Sequence, residues 1–208
     1  MGKVRSKSGE GLSGLVGNVV FFSYKGETYV RSRPRKRAKN SWSERQLLAQ
    51  KRFAALKSFW GRFDHSLIQE IWKVAEENVR GDNYFLRTNK VAFGPDGTLT
   101  DPERLHLTAG QLPLPTKFEA VRSADDPSRL EVAWQDDPGS SLAWSDDELM
   151  MMVGHDLDFT GPVATGALRE QESAVIQLPA VSGTVNGVYL FFASEKRKMY
   201  SQDQYFKL

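Results

Sequence analysis

Arg129-Leu130-Glu131-Val132-Ala133-Trp134-Gln135 places Leu130, Val132 and Trp134 at every second position. Period-two apolar spacing is the mark of a strand with one buried face, and Trp134 is its natural core anchor. Segments 117–122, 148–154, 163–169, 173–178, 185–194 and 199–206 also alternate or cluster apolar residues. Between them lie the turn signals Asp125-Asp126-Pro127, Asp137-Pro138-Gly139 and Ser182-Gly183, residue types that favour turns. Seven short strands at this spacing are the profile of an immunoglobulin- or fibronectin-like sandwich. Pro113 and Pro115 mark its N-terminal boundary, which predicts a β-sandwich domain over 116–208 and a second region over 1–115. No internal repeat is visible.

Upstream of the prolines, Gly81 to Pro115 reads as loop-rich, with a short segment at Tyr84-Phe85-Leu86 and a turn at Pro95-Asp96-Gly97. Before it the period changes. Ala49, Phe53, Leu56, Trp60 and Phe63 recur at spacings of three and four, which predicts a helix over about 43–61. Ser43 and Gln46 form a capping-box pattern at its start, and Ser66 and Gln69 repeat it. Leu67, Ile71, Val74 and Ala75 then predict a second amphipathic helix reaching about Asn78. Phe53, Leu56, Trp60, Trp72 and Trp134 are expected to be buried.

The first 40 residues differ in kind. Residues 1–14 are small, polar and basic, an arm expected to be mobile unless a partner orders it. Val19-Val20-Phe21-Phe22-Ser23-Tyr24 and Thr28-Tyr29-Val30-Arg31 flank Lys25-Gly26-Glu27 and predict a β-hairpin. A lone hairpin is marginal in water, so this one must pack on something or pair with another chain. After it comes the densest charge run, Arg31-Ser32-Arg33-Pro34-Arg35-Lys36-Arg37-Ala38-Lys39, stiffened by Pro34.

That run dominates the charge map. The chain of 208 residues has a net charge of only +2. Residues 1–62 hold 15 basic and 3 acidic side chains, while residues 105–208 hold 8 and 15. Such asymmetry calls for an anionic partner of the N-terminal part: nucleic acid, an anionic surface, or the acidic half of a neighbouring copy. Apolar residues at 40% and charged residues at 26% are ordinary globular usage and exclude disorder throughout. The absence of cysteine excludes disulfide scaffolds, thiolate metal sites and cysteine nucleophiles. No apolar run reaches membrane-span length and no secretory signal is evident. The expected location is the cytoplasm or a particle. Met1-Gly2 with Ser6 fits the short N-myristoylation pattern, with nothing else that accompanies lipidation.

Motifs for chemistry are sparse. Gly9-Glu10-Gly11-Leu12-Ser13-Gly14 matches the glycine-rich phosphate pattern. No strand precedes it and no helix follows, so it reads as a flexible arm. His65, His106 and His155 lie on three different elements without ligand spacing. His155-Asp156-Leu157-Asp158 offers an imidazole and two carboxylates, the one set on which a metal-dependent enzyme could rest, and otherwise a solvated turn. Asp125-Asp126, Asp136-Asp137 and Asp146-Asp147 sit at predicted turns, where Asp is favoured locally. The constellation that stands out is Arg31, Arg33, Arg35, Lys36, Arg37 and Lys39 with Tyr24, Tyr29 and Trp42 nearby. The cations can neutralise phosphates or protein carboxylates, and the rings can stack on bases or contact a partner.

Gly14-Leu15-Val16-Gly17-Asn18-Val19-Val20, Lys25-Gly26, Tyr29-Val30-Arg31-Ser32-Arg33-Pro34, Gln46 and Arg52-Phe53 together resemble a bacterial domain-of-unknown-function family common in Bacteroidetes. Trp134, Asp146-Asp147, Val185 to Ser194 and Ser201 to Tyr205 are similar to its sandwich-like end. Trp72 to Asn89 is similar to phage-associated proteins with a basic arm and helices. Asn40-Ser41-Trp42-Ser43 departs from the family's usual Asn-Pro-Arg-Thr, and Tyr24 is the aromatic before Lys25. The resemblance implies this fold and a bacterial or phage origin, and carries no activity.

These readings converge on an α+β protein with a basic arm and hairpin, a two-helix unit and a C-terminal sandwich. The function expected is a non-catalytic structural protein, without cofactor or metal, that binds copies of itself or docks into a bacterial or phage-like assembly. Nucleic-acid binding by the basic segment is the alternative. No small-molecule substrate is evident.

Overall fold

Lys25 and Gly26 both take positive φ, 52° and 77°, and make the two-residue turn of a tight hairpin. Glycine is at home there because it has no Cβ to clash. The computed structural model describes residues 2–3, 13–36, 38, 41–63, 66–136, 139–156 and 158–208. It divides the chain into two compact units, Met1–Ser43 and Glu44–Leu208.

The first unit is a four-stranded antiparallel sheet. Its strands are β1 (Gly2–Lys3), β2 (Gly14–Val16), β3 (Val19–Tyr24) and β4 (Glu27–Ser32), in the order β1-β4-β3-β2. The predicted hairpin is present, with Tyr24 opposite Glu27 and Val19 opposite Ser32. Most of the predicted arm lies outside the described residues. The described part of it joins the sheet, Gly2 opposite Val30 and Gly14 opposite Phe21.

The second unit begins with three α-helices: α1 (Glu44–Gly61), α2 (Leu67–Val74) and α3 (Gly81–Asn89). The third is a correction, since 81–89 reads as loop in the sequence. Its apolar positions are few, Tyr84, Phe85 and Leu86, and clustered rather than periodic. Tertiary packing supplies the rest. Phe85 is fully buried, with ring centroids of Trp60 at 4.9 Å, Trp72 at 5.1 Å, Phe59 at 6.2 Å and Phe63 at 6.5 Å. Gly81 permits the close approach, because a Cβ there would lie 2.9 Å from the Trp72 carbonyl oxygen. Ser66 holds the extended N-cap conformation of α2, but its hydroxyl donates to the Phe63 carbonyl at 2.5 Å instead of capping the helix.

Two antiparallel sheets follow. Strands β5 (Thr116–Arg122), β6 (Arg129–Gln135) and β10 (Ser173–Gln177) form one, in the order β10-β6-β5. The other is built on β7 (Glu148–His155) and β11 (Val185–Ser194). Beside β7 run β8 (Asp158–Phe159) and β9 (Val163–Leu168), and beside β11 run β12 (Met199–Tyr200) and β13 (Gln204–Lys207). The last predicted strand, 199–206, is thus split around Ser201–Asp203.

The larger sheet is apolar on both faces. Leu149, Met151, Val153, Val188, Leu190 and Phe192 share a core with Leu130, Val132 and Trp134 of the smaller sheet. Met150, Met152, Tyr189 and Phe191 share the other core with Leu56, Phe59, Trp72 and Phe85 of the helices. A strand covered on both sides needs a continuous apolar run, which is what Leu149-Met150-Met151-Met152-Val153 supplies. The boundary expected at 115/116 falls inside this unit.

Leu56, Trp60, Trp72 and Trp134 are buried as expected, whereas Phe53 is 58% exposed and Ala49 is exposed. The docked stripe of α1 runs through Leu48, Arg52 and Ala55 before joining Leu56, Phe59 and Trp60. Spacings of three and four fit two neighbouring stripes on this helix, and the N-terminal choice is made by what packs against it.

Candidate partner-binding surface

Alternation along β3 and its register with β4 put Phe22, Tyr24, Tyr29 and Arg31 on one face of the N-terminal sheet. Phe22 and Tyr29 are directly opposite and stack at 5.7 Å with 22° between the rings. Tyr24 meets Tyr29 edge-on at 6.4 Å. The Arg31 guanidinium lies 5.7 Å from the Phe22 centroid and the Lys25 ammonium 5.8 Å from that of Tyr24, within cation–π range. Tyr29 donates its hydroxyl to Glu27 at 2.9 Å. The result is a row of three rings bracketed by cations.

Of the predicted site residues, Tyr24, Tyr29 and Arg31 come together on this face. Arg33, Arg35 and Lys36 follow β4 and are exposed, with the Arg33 amide still bonded to the Asn18 carbonyl at 2.9 Å. Trp42 is exposed at the end of the unit. Arg37 and Lys39 lie outside the described residues. Phe22 and Lys25 are the members that the sequence reading missed, and period two counted back from Tyr24 is the signal that reaches Phe22.

The unit has little interior. Among its described residues only Thr28 is buried. Leu15 and Val16 on the edge strand β2 are exposed.

The titratable groups of the second unit do structural work. Asp156 accepts the Thr184 amide at 3.3 Å, and Asp158 accepts the Phe159 amide at 2.9 Å. The Asp156 carboxylate thus ties the β7–β8 turn to the residue before β11, and the Asp158 carboxylate bonds its own neighbour within β8. Among the described residues no three His, Asp or Glu side chains are placed to hold a metal. His65 and Leu157 lie outside those residues. His106 meets the fully buried Asp203 at 3.0 Å, and Asp203 also accepts the Leu107 amide at 2.7 Å. Burial pushes the Asp203 carboxyl above its usual range, against the pull of these two bonds. Asp147, read from sequence as a turn residue, is instead buried, with Arg197 Nη2 at 2.6 Å and Arg169 Nε at 3.6 Å. That second distance is an ion pair too long for a hydrogen bond, so Arg169 Nε has no hydrogen-bond partner.

Comparison with known protein families matches residues 11–206 to a family of unknown function, DUF6266. The chain belongs to that family. No curated protein and no solved structure matches it. The DUF6266 match takes in β2 to β4 as well as all three helices and nearly all of β13. The aromatic and cationic sheet is thus part of what the family shares in length, not an appendage beyond it.

Two open cavities lie on the described surface of this DUF6266 chain. One, of about 830 Å³, lies between α2 and the β11–β12 hairpin and mixes charges of both signs, Lys73 and Lys198 with Glu70 and Glu195. Tyr200 lines it, its hydroxyl pKa raised by burial and then by Glu70 and Glu195. The other, of about 660 Å³, runs along the N-terminal half of α1. No described helix is long and apolar enough to cross a membrane.

Proposed function

We propose that this chain is a non-catalytic assembly protein that associates with further copies, within a larger bacterial or phage-like particle, through its N-terminal sheet. The observation that carries this reading is the sheet itself. It has four strands, two open edges and one buried residue among those described. Small sheets without a core are marginal alone and gain most from a surface that covers them. Charge supplies the partner. Residues 1–43 hold ten basic and two acidic side chains, and residues 44–208 hold 18 and 24. Unlike halves attract head to tail, and such heterologous contacts build rings or filaments. The immunoglobulin- or fibronectin-like grouping of 116–208 belongs to the same proposal, supported by one apolar layer between two antiparallel sheets.

Light scattering on the full chain tests it. Mass above monomer at low salt, falling as salt rises and falling in Arg31→Glu/Arg33→Glu, is the expected result. A monomer at high concentration and low salt, unchanged by that double substitution, overturns it.

The ring row favours a second reading, single-stranded nucleic acid bound by stacking on Phe22, Tyr24 and Tyr29 with phosphates on the cations. Mobility shifts with an oligonucleotide should then weaken steeply between low and moderate salt, because counterions are released on binding. No shift at low salt removes this reading.

A further inference from the structure

We propose that the cationic trough along α1 binds a free fatty carboxylate, a single aliphatic chain whose one polar group is its anionic head. The site lies within residues 44–208 and does not depend on the N-terminal sheet.

Helical spacing builds one wall of it. Arg45, Leu48, Ala49, Arg52, Phe53 and Leu56 follow one another at intervals of three and four residues along α1 and line the trough together. Such positions share a helix face, here about 16 Å long at 1.5 Å of rise per residue. The facing wall comes from Leu86 of α3, Lys90 in the 3-10 turn after it, and Pro95. Leu56 and Leu86 are buried and Leu48 is half-buried, which gives the trough an aliphatic floor. Its volume of about 660 Å³ is that of a small-molecule site.

The lining selects the ligand. No hydroxyl, amide, imidazole or carboxylate side chain belongs to it, and its only polar side chains are the cations Arg45, Arg52 and Lys90. It therefore has no side chain suited to a sugar, a base or a peptide group, and it matches a hydrocarbon body with one anion. The cations are unspent. None of the three pairs with a carboxylate among the described residues. Arg52 is also preset. Its Nε donates to the Gly94 carbonyl at 3.1 Å, while Nη1 and Nη2 have no hydrogen-bond partner among the described residues. Guanidinium N–H groups match the two oxygens of a carboxylate, and a group already held in place loses less freedom on binding. A membrane lipid offers the same chemistry, but a recess walled on both sides takes a detached chain, where a membrane would need an apolar surface that projects.

Calorimetric titration of the full chain with octanoate, decanoate and dodecanoate, all below their micelle concentrations, tests the site. The expected result is one site per chain, with affinity rising at least about threefold at each two-carbon step because each buried CH2 contributes. Dodecyltrimethylammonium, the same chain with the opposite charge, should bind at least about tenfold more weakly. Ala49→Trp fills the trough and Arg45→Glu/Lys90→Glu reverses its field, all at exposed positions. Each should weaken dodecanoate about tenfold or more with circular dichroism unchanged. Gln50→Trp, exposed but outside the lining, and Phe22→Ala/Tyr24→Ala in the N-terminal sheet should leave the affinity as it was. Affinity that is flat in chain length, equal binding of the cationic amphiphile, or loss in Phe22→Ala/Tyr24→Ala but not in Ala49→Trp overturns the site. Sedimentation with phosphatidylglycerol vesicles in place of dodecanoate binding, abolished by Ala49→Trp, would assign the trough to a membrane surface and overturn the free acid as its ligand. None of these outcomes bears on the mass of the chain in solution, so the assembly reading stands or falls separately.

Discussion

Strands β3 and β11 carry nearly the same text, Val19-Val20-Phe21-Phe22 in one and Val188-Tyr189-Leu190-Phe191-Phe192 in the other. In β11 every residue from Gly187 to Ser194 is buried, and in β3 none is. Both strands pair on both sides, so the ladder is not the difference. The difference is cover. Strand β11 has helices on one face and a second sheet on the other, and each of its phenylalanines gains about 2–3 kcal/mol from burial. Within its own unit strand β3 has no such layer, and its sheet rests on backbone pairing and on cross-strand contacts of about 0.2–1 kcal/mol each. Propensity decides that a segment is a strand, and only a covering layer makes it a core.

The sharpest way to break this contrast is to remove one ring from the covered region. Phe85→Ala empties the point where four rings meet and should cost about 3–5 kcal/mol. Urea unfolding would show a lower midpoint with little change in slope. A loss below about 1 kcal/mol would mean that the aromatic cluster collapses around the gap, and that cover is not what distinguishes the two regions.

Next in size is the buried charge. Asp147→Ala takes from Arg197 its carboxylate and leaves the fully buried Arg169 with Asp136 as its remaining carboxylate, and removing one partner of a buried pair costs about 3 kcal/mol. The change also releases the Leu142–Trp144 loop, whose Trp144 amide donates to Asp147 and whose Leu142 carbonyl accepts from Arg197. Quenching of Trp144 fluorescence should therefore rise together with the fall in urea midpoint. Unchanged quenching would show that Arg197 holds the loop without Asp147.

What was legible in the sequence follows the same division. Strands 129–135 and 185–194 are matched to the residue, because period two and continuous apolar runs report directly on cover. Helix α3 was not legible, since its stability lies in Phe85 meeting Phe59 and Trp60 of α1, about 25 positions away, and local pattern carries no trace of that. The outward turn of Phe53 was hidden because two stripes on α1 satisfy the same spacing. At the candidate site the cations and two tyrosines were readable as types. The stacking of Phe22 on Tyr29 needed the register. Arg169 and Asp147 were invisible as a pair, because charged residues are normally exposed and nothing local marks the two that are not.

A smaller effect sharpens the comparison from the other side. Phe22→Ala removes a half-buried ring from the uncovered sheet and should cost under about 1 kcal/mol, the value of a cross-strand pair. Hydrogen exchange of the Tyr29 and Arg31 amides would read it locally. A cost near that of Phe85→Ala would show that a layer does cover this face in solution, and would itself argue for association.

The smallest effect lies on the rim of the covered unit. Asp82, in the first turn of α3, accepts Lys57 of α1 at 3.3 Å and the Asn83 amide at 2.9 Å, with Arg80 beside it. Burial alone would raise its carboxyl pKa, but these bonds and charges outweigh it and hold the pKa below the usual range. The ionised form is therefore favoured by folding. Its contribution is complete above the ordinary carboxylate value of about 4 and is lost as pH falls through the lowered folded value. Lys57 and Arg80 are well exposed, so solvent screens the pair and Asp82→Asn should cost under about 1 kcal/mol at neutral pH. The gap in urea midpoint between the two proteins should close at the acid end of the titration. A gap that persists there would mean that Asp82 acts through the geometry of the α3 turn and not through its charge. The link between α1 and α3 would then rest on apolar packing alone.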